Sequence, residues 1–280
     1  MRTFFYQPVA FVALLVVCLM FAPSRRLIGD VQISGQPSPL TVVPKEAPRK
    51  PFTDLCRDDP VGALAASLAK YEGVEGYTCT FIKRERIDGK LKDVETIACD
   101  FQESPYAVLM RWKGGVGRAE AMMYAAGAHD DQLLIVPAGE FQKKAVKTLT
   151  GRTYAKRALT SADAKGAARY PANEFGMASG TRRVYRAWQA AEQRKQLAAE
   201  YVGLVDVPEL GRKCHVLRRT VNPPEEEGLT SVTVMFDPEL LLQVGSVLMA
   251  GDDLIASYFF KDIVLNPKFD KAHFAVEKLK

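Results

Sequence analysis

Residues 77–112 read YTCTFIKRERIDGKLKDVETIACDFQESPYAVLMRW, and this stretch decides the fold class. Apolar and polar residues alternate along three runs, which is the period of a strand that buries one of its faces. Asp88-Gly89 separates the first two runs, and glycine at such a position supplies the positive φ that a tight hairpin turn requires. The stretch therefore predicts three antiparallel strands joined by short turns.

The hairpin also predicts its own pairing. If Ile87 pairs with Leu91, four further pairs share one face: Tyr77–Phe101, Cys79–Cys99, Phe81–Ile97 and Lys83–Glu95. The same register sets Glu85 opposite Asp93, where two like charges would repel each other. Because Cys79 and Cys99 face each other, they are candidates for a disulfide in an oxidising compartment. Burial of both thiols as small apolar groups is the alternative.

The rest of the chain predicts two helices and further strands. Asp59-Pro60 begins a helix over residues 59–71, with an aspartate N-cap and proline at the first helical position. A second helix is predicted over residues 177–199, whereas residues 140–173 lose periodicity and predict a long excursion with at most short structure. The predicted strands span residues 77–87, 91–102, 107–113, 119–126, 132–136, 200–207, 213–221, 231–236, 241–249 and 254–265.

About ten antiparallel strands and two main helices predict an α+β fold, in which one large curved antiparallel sheet wraps around the helices. A sheet of this size must curl, and its apolar concave face must be covered. Complete filling by the helices would give an ordinary core. Incomplete filling would leave a lipophilic cavity, and the sequence leaves both outcomes open.

The first 55 residues predict export and a tether. Residues 4–22 are almost entirely apolar and follow Arg2, so residues 1–26 are either a cleaved signal peptide or an N-terminal membrane anchor. Residues 27–55 are rich in proline and predict a disordered linker. The folded domain is then expected over residues 56–280, in the periplasm or cell envelope, either soluble after cleavage or tethered to the membrane.

Positive charge is concentrated in residues 141–219, which contain 17 Lys and Arg against 6 Asp and Glu. In an exported protein this basic patch suits an anionic membrane surface or another acidic envelope component rather than nucleic acid. A solvated surface without a partner is the alternative, and the oligomeric state is left open. The patch candidates are Lys143, Lys144, Lys147, Arg182, Arg183 and Arg186.

Catalytic patterns are absent from the sequence. The three histidines lie in different predicted elements, and there is no HExxH, paired CxxC, phosphate-binding glycine loop or nucleophile elbow. We therefore predict no catalytic residue, no metal site and no cofactor. Carboxylate-only hydrolysis is the remaining enzymatic alternative, because it needs no histidine.

Aromatic and methionine side chains on shared strand faces are the candidates for a ligand cavity. Methionine is flexible and polarisable, so walls that contain it suit ligands of variable shape. A filled core is the competing interpretation for the same residues. The candidates are Phe81, Ile97, Met110, Trp112, Met122, Tyr124, Tyr258 and Phe260.

Several motifs resemble an exported family known as domain of unknown function 1571. They are residues 77–86, Asp88-Gly89-Lys90, Ser104-Pro105-Tyr106, Met110-Arg111-Trp112, Arg169-Tyr170-Pro171 and Glu174-Phe175-Gly176. The closing block resembles both this family and the lipoprotein carrier LolA, through Asp237-Pro238-Glu239, residues 257–263, Leu265-Asn266-Pro267 and Phe274. The resemblance covers about residues 60–274 and departs from the family pattern in the basic excursion at 140–173.

The resemblance implies an open half-barrel of antiparallel strands around helices, with an apolar interior that accepts acyl chains in LolA-like carriers. It implies no known reaction. The leading hypothesis is therefore a non-enzymatic envelope protein that binds an acyl chain of a lipid or lipoprotein, or another lipophile. The alternative is an envelope scaffold with a filled core, whose basic patch binds an anionic component.

Overall fold

The structure is a computed structural model that describes residues 50–114 and 119–279. Within these ranges the chain forms an α+β fold with one open antiparallel sheet, which confirms the predicted fold class. The helices are α1 (Phe52–Asp58), α2 (Pro60–Lys70), α3 (Glu140–Thr150), α4 (Ala162–Lys165) and α5 (Met177–Gln193). Short 3₁₀ turns cover Tyr71–Gly73, His129–Asp131, Ala172–Glu174, Glu226–Gly228 and Val276–Leu279.

The described strands of the sheet number twelve. They are β1 (Gly76–Ile87), β2 (Lys90–Leu91), β3 (Glu95–Gln102), β4 (Ala107–Gly114), β5 (Ala119–Ala125), β6 (Gln132–Pro137), β7 (Ala155–Ala158), β8 (Ala198–Val207), β9 (Arg212–Thr220), β10 (Ser231–Phe236), β11 (Gln243–Ala250) and β12 (Asp253–Leu265). Their order is β7-β6-β5-β4-β3-β1-β12-β11-β10-β9-β8, and β2 pairs with β1. Since β7 and β8 lie at opposite edges, the chain between them crosses one face and carries α4 and α5 over it. We call this the inner face.

The sheet curves around what lies on its inner face. Leu133 and Ile135 of β6 line the same cavity as Val232 of β10, although six strands lie between β6 and β10. At about 4.8 Å per strand, a flat sheet would separate β6 and β10 by roughly 34 Å. Strong curvature is therefore required for both strands to reach one cavity.

The predicted hairpin register is confirmed along most of β1 and β3. Tyr77–Phe101, Cys79–Cys99, Phe81–Ile97 and Lys83–Glu95 are all paired. The pairing at the tip is wrong by one residue, because Ile87 pairs with Lys90 and not with Leu91. Asp88 and Gly89 both have positive φ, 51° and 74°, as a two-residue turn of this hand requires.

The same one-residue offset removes the predicted repulsion between Glu85 and Asp93. Residues 92–94 leave the ladder after Lys92 N donates to the carbonyl oxygen of Glu85 at 2.9 Å. The Glu85 side chain lies on the inner face instead, where it contacts Lys83 and Tyr258.

The prediction for residues 140–173, a long excursion with at most short structure, needs correction. Residues 140–173 form α3, β7, α4 and a 3₁₀ turn. None of the α3 residues is buried, so α3 lacks the core-facing apolar stripe from which helices are recognised in a sequence. α5 ends at Gln193, six residues before the predicted end, because β8 already begins at Ala198.

The predicted first helix is confirmed as α2. Asp59 caps it by accepting a hydrogen bond from Gly62 N at 2.7 Å. α1 precedes it and begins at Phe52, inside the stretch predicted as linker. The signal or anchor segment and most of that linker, residues 1–49, lie outside the described residues.

Both faces of the sheet carry buried apolar side chains. Leu64 of α2 and Trp188 of α5 pack with Leu217 and Phe236 of β9 and β10. On the opposite face, Leu279 packs with residues of β4, β5 and β6. Among the residues that the structure describes, no helix is long and apolar enough to cross a membrane.

The disulfide predicted between Cys79 and Cys99 is not formed. Both thiols are free and buried side by side, as the burial alternative expects. Desolvation and a hydrogen bond to Cys79 raise the pKa of the Cys99 thiol. Burial likewise raises the pKa of Cys56 to about 12 and that of Cys214 to about 11.

We expect these four thiols to resist alkylation in the folded protein, because all four sulfur atoms are buried and inaccessible to the reagent. Alkylation at neutral pH without reductant, before and after unfolding, followed by peptide mass spectrometry, measures this directly. All four should be labelled only after unfolding. A linked peptide pair containing Cys79 and Cys99 would contradict the free-thiol state.

Candidate functional site

The strand register arranges inner-face side chains in four parallel rows, because directly paired residues point to the same face. Row 1 is Tyr77, Phe101, Val108 and Tyr124. Row 2 is Cys79, Cys99, Met110 and Met122. Row 3 is Phe260, Phe81, Ile97 and Trp112. Row 4 is Ser246, Tyr258, Lys83 and Glu95.

Row 1 belongs to a filled core. Tyr77 stacks on Phe101 with ring centroids 4.8 Å apart, and the Tyr77 hydroxyl accepts a hydrogen bond from Met177 N at 3.1 Å. Tyr124 packs edge-on against Tyr106 in the same region. The start of α5 therefore closes this end of the inner face.

A cavity of about 870 Å³ lies beyond row 1. Its walls are the inner face, α5, the turn after β9 and the segment that joins β7 to α5, residues 159–176, which we call the cover segment. Such a volume is within the range of small-molecule sites. Seven of the eight sequence-predicted cavity residues line it, namely Phe81, Ile97, Met110, Trp112, Met122, Tyr258 and Phe260. Tyr124 does not, because row 1 is covered.

Aromatic rings form one wall of the cavity. The Phe81 ring centroid lies 4.7 Å from that of Phe260 and 5.2 Å from that of Phe175 in the cover segment. Tyr258 lies parallel to Phe81 at 6.2 Å. These separations are typical of favourable aromatic pairs, so the cover segment contributes to the apolar lining.

Row 4 contains a buried charged cluster. Lys83 Nζ donates to Glu85 Oε2 at 2.8 Å and to the carbonyl oxygen of Ala167 at 3.2 Å, and it lies 3.3 Å from Glu95 Oε2. The Tyr258 hydroxyl donates to Glu85 Oε1 at 2.7 Å. The sequence predicted the Lys83–Glu95 pair but not its place in a cavity. The signal was available, because Lys83 and Glu85 continue the alternation that begins with Phe81.

The environment keeps Lys83 charged. Burial would lower the pKa of its ammonium group, but the carboxylates of Glu85 and Glu95 outweigh burial and raise the pKa above its ordinary value. Burial and the nearby Glu85 carboxylate raise the pKa of Tyr258, so its hydroxyl stays protonated and can donate.

The cover segment is attached to the sheet by polar contacts. The Tyr106 hydroxyl lies 2.7 Å and 3.0 Å from the carbonyl oxygens of Ala172 and Phe175. Arg169 pairs with Glu227 at 2.6 Å, and its backbone N–H donates to Glu85 Oε1 at 3.4 Å. Row 4 therefore connects directly to the covering backbone.

Buried polar atoms without a hydrogen bond to protein also collect at the cavity. Six such side-chain atoms occur in the described parts of the chain, and all belong to cavity-lining residues. They are Trp112 Nε1, Trp188 Nε1, Arg169 Nε, Arg219 Nε, Glu95 Oε2 and Gln243 Oε1. Because buried polar groups are normally hydrogen-bonded, this concentration indicates a site for a polar group.

The six predicted basic residues divide between two helices. Lys143, Lys144 and Lys147 lie on α3, and Arg182, Arg183 and Arg186 lie on α5. Several are already neutralised: Lys143 pairs with Glu120 and Glu140, Arg182 with Glu103, and Arg183 with Glu174. Arg183 also stacks over the Tyr170 ring at 3.9 Å. Lys144, Lys147 and Arg186 form no ion pair with other described residues.

No group of three or more His, Cys, Asp or Glu side chains in residues 50–114 and 119–279 is arranged to hold a metal ion. His215 and the Tyr201 hydroxyl form a 2.8 Å hydrogen bond, and His273 Nε2 lies 2.9 Å from Asp100 Oδ2. Neither histidine lines the cavity.

The model of the family described as "Protein of unknown function (DUF1571)" matches residues 74–279. This match confirms the resemblance found in the sequence. No curated protein matches the chain.

Solved structures give weaker likenesses. MucB is 12% identical, with 78% of this chain and 62% of MucB covered and a TM-score of 0.42, so this chain spans less than two thirds of MucB. A LolA superfamily protein from Nitrosomonas europaea is 8% identical, with coverages of 78% and 97% and a TM-score of 0.32. The Mycobacterium tuberculosis lipoprotein LppX is 10% identical, with coverages of 76% and 99% and a TM-score of 0.40. With TM-scores below 0.5, none of these likenesses bears on function.

Proposed function

We propose that this chain, which belongs to the DUF1571 family, binds a lipophilic ligand in the cavity between its sheet and its cover segment. The observation that carries the proposal is the cavity of about 870 Å³, walled by row 3 and by Met110 and Met122 of row 2. Burying an apolar chain against such walls yields roughly 25 cal/mol for each Å² of apolar surface removed from water. The ligand class is an acyl chain of a lipid or lipoprotein.

Three further features support binding rather than turnover. Met110 and Met122 supply deformable walls, which suit acyl chains of differing length. The sequence carries no recognised catalytic motif. An exported domain tethered by residues 27–55, with residues 1–26 as signal or anchor, would work beside the membrane that contains such ligands.

The test is lipid analysis of the full chain, purified from a host with membranes and examined by native mass spectrometry and organic extraction. We expect a defined lipid at close to one molecule per chain. A chain that carries no lipid and takes none up from mixed envelope lipids would refute the proposal.

A second candidate function is docking on an anionic bilayer through α3. Phe141 and Leu149 are each 81% exposed, the highest values among the described large hydrophobic residues. At 100° per residue they lie about 80° apart on the helix, with Lys144 on the flank of the same outward face. An exposed apolar stripe beside lysines is typical of helices that lie in a membrane interface.

We expect the double variant Phe141→Ser/Leu149→Ser to lose at least about tenfold in affinity for anionic vesicles, because two apolar anchors no longer insert. The double variant Lys144→Glu/Lys147→Glu should also lower the affinity for these vesicles, and the decrease should be larger at low salt than at high salt. Sedimentation with vesicles of phosphatidylglycerol and phosphatidylcholine measures both. Val264→Ser is the matched control, since Val264 is 55% exposed but lies on β12. Equal binding by the α3 variants and the control would exclude α3 docking.

A further inference from the structure

We propose that the ligand is an amphiphile whose uncharged head group both donates and accepts hydrogen bonds, with the head at row 4 and the chain along rows 2 and 3. This inference rests on the proposed function and specifies its ligand class. It is carried by the order of the rows, by the balance of charge around row 4 and by the unpaired polar atoms.

The order of the rows gives the cavity a polarity gradient along the strands. On β1 the inner-face residues run from Cys79 through Phe81 to Lys83, and adjacent rows are about 7 Å apart at 3.4 Å per residue. Rows 2 and 3 contain only apolar, aromatic or sulfur side chains, whereas every member of row 4 is polar. A purely apolar ligand would place apolar surface against the polar side chains of row 4, whereas an amphiphile would match all three rows.

The largely buried charges at the polar end are already paired within the protein. Lys83 contacts Glu85 and Glu95, Arg169 pairs with Glu227 at 2.6 Å, and Arg219 pairs with Glu225 at 2.5 Å. These seven groups carry three positive and four negative charges. The largely buried cations Lys83, Arg169 and Arg219 are therefore already paired, and they would not offset the desolvation of a carboxylate or phosphate head.

Hydrogen-bonding capacity remains at the border between row 3 and row 4. Trp112 Nε1 is a donor without a protein partner, and Glu95 Oε2 lies 3.3 Å from Lys83 Nζ but forms no hydrogen bond of good geometry, so it can still accept one. Trp112 pairs with Ile97, which is two residues from Glu95 on the same face of β3. An amide or hydroxyl head at this border can donate to Glu95 while its oxygen accepts from Trp112.

The experiment uses four probes that carry a twelve-carbon chain and differ in the head group: dodecanamide, methyl dodecanoate, dodecanoate and dodecylammonium. Both tryptophans of the chain, Trp112 and Trp188, line the cavity, so intrinsic fluorescence of the full chain reports binding. We expect dodecanamide to bind at least about tenfold more tightly than either charged probe. The carboxylate of dodecanoate loses hydration beside cations that are already paired. The ammonium group of dodecylammonium has no acceptor for the Trp112 N–H.

Two variants and one control separate the head group from the chain. Glu95→Leu should lower the affinity for dodecanamide roughly tenfold but leave the affinity for methyl dodecanoate unchanged, because the ester has no proton to donate to Glu95. Trp112→Phe should lower the affinity for both of these probes, because each has a carbonyl oxygen that accepts from Trp112. Trp188 then remains as the fluorescence reporter. Tyr124→Phe is the control, because Tyr124 lies in row 1 and outside the cavity, and it should change neither affinity.

The outcomes distinguish this inference from the proposed function. If none of the four probes binds, the lipophile-binding function itself fails. If all four bind within threefold of one another and Glu95→Leu affects amide and ester alike, the cavity still binds lipophiles but the head-group assignment is overturned.

Discussion

Replacing Lys83 by methionine is expected to lower the free energy of unfolding by about 3–5 kcal/mol, because one member of a buried ion cluster is removed. The side chain of Glu85 is only 4% exposed, and its carboxylate would lose the ammonium group 2.8 Å away. The carbonyl oxygen of Ala167 would lose its Lys83 donor as well. Equilibrium unfolding by urea, followed by far-UV circular dichroism, gives the difference.

Two further variants show whether the loss comes from the uncompensated charge. Lys90→Met removes an exposed lysine from the same hairpin and should change stability by no more than about 0.5 kcal/mol. Lys83→Met/Glu85→Gln/Glu95→Gln removes the whole cluster and should recover most of the loss, since no buried charge is left alone. A loss below about 1 kcal/mol for Lys83→Met would mean that the cluster is hydrated and behaves as a surface pair.

The hairpin shows what local sequence can determine. Alternation and the Asp88-Gly89 turn determined the face of every residue from Tyr77 to Lys83, because side chains alternate strictly with period two. The tip was wrong because residues 92–94 absorb an offset of one residue. Asp-Gly favours the two-residue turn that is observed, but the sequence does not show that an irregularity follows it in the next strand.

The cover segment shows what local sequence does not determine. Its attachments join residues far apart in the chain, such as Tyr106 to Ala172 and Lys83 to Ala167. These contacts depend on the completed sheet, so periodicity within residues 140–173 cannot reveal them. α3 was missed for a related reason, since its apolar residues Phe141 and Leu149 face outward.

The question of a filled core or a cavity also depends on tertiary packing. The candidate cavity residues were all chosen because they share a strand face, yet their surroundings differ from row to row. Tyr124 in row 1 is covered by the packing around α5, whereas Met110 and Met122 in row 2 line the cavity. The difference arises from where α5 begins, at Met177, and from how far the cover segment stands from the sheet. Strand alternation assigns a face to each side chain and does not assign what lies opposite.

Replacing Phe260 by glutamate is expected to reduce binding of a lipophilic ligand by at least about tenfold, because a carboxylate in row 3 opposes burial of an apolar chain beside it. Phe260 stacks on Phe81 at 4.7 Å and lies 5.9 Å from Phe175, so the new charge would stand in the aromatic wall of the cavity. Retained lipid per chain and titration with dodecanamide both measure the effect.

Val264→Glu on the same strand is the matched control for this prediction. Val264 is 55% exposed and does not line the cavity, so the same substitution adds the same charge to β12 without changing the ligand's surroundings. The Phe260 variant should keep its fold, because Phe260 is only half-buried and the new carboxylate can reach water through the cavity. Near-UV circular dichroism checks this. If a folded Phe260→Glu protein binds the probe as tightly as Val264→Glu, the ligand does not lie along row 3, and the cavity is not the binding site.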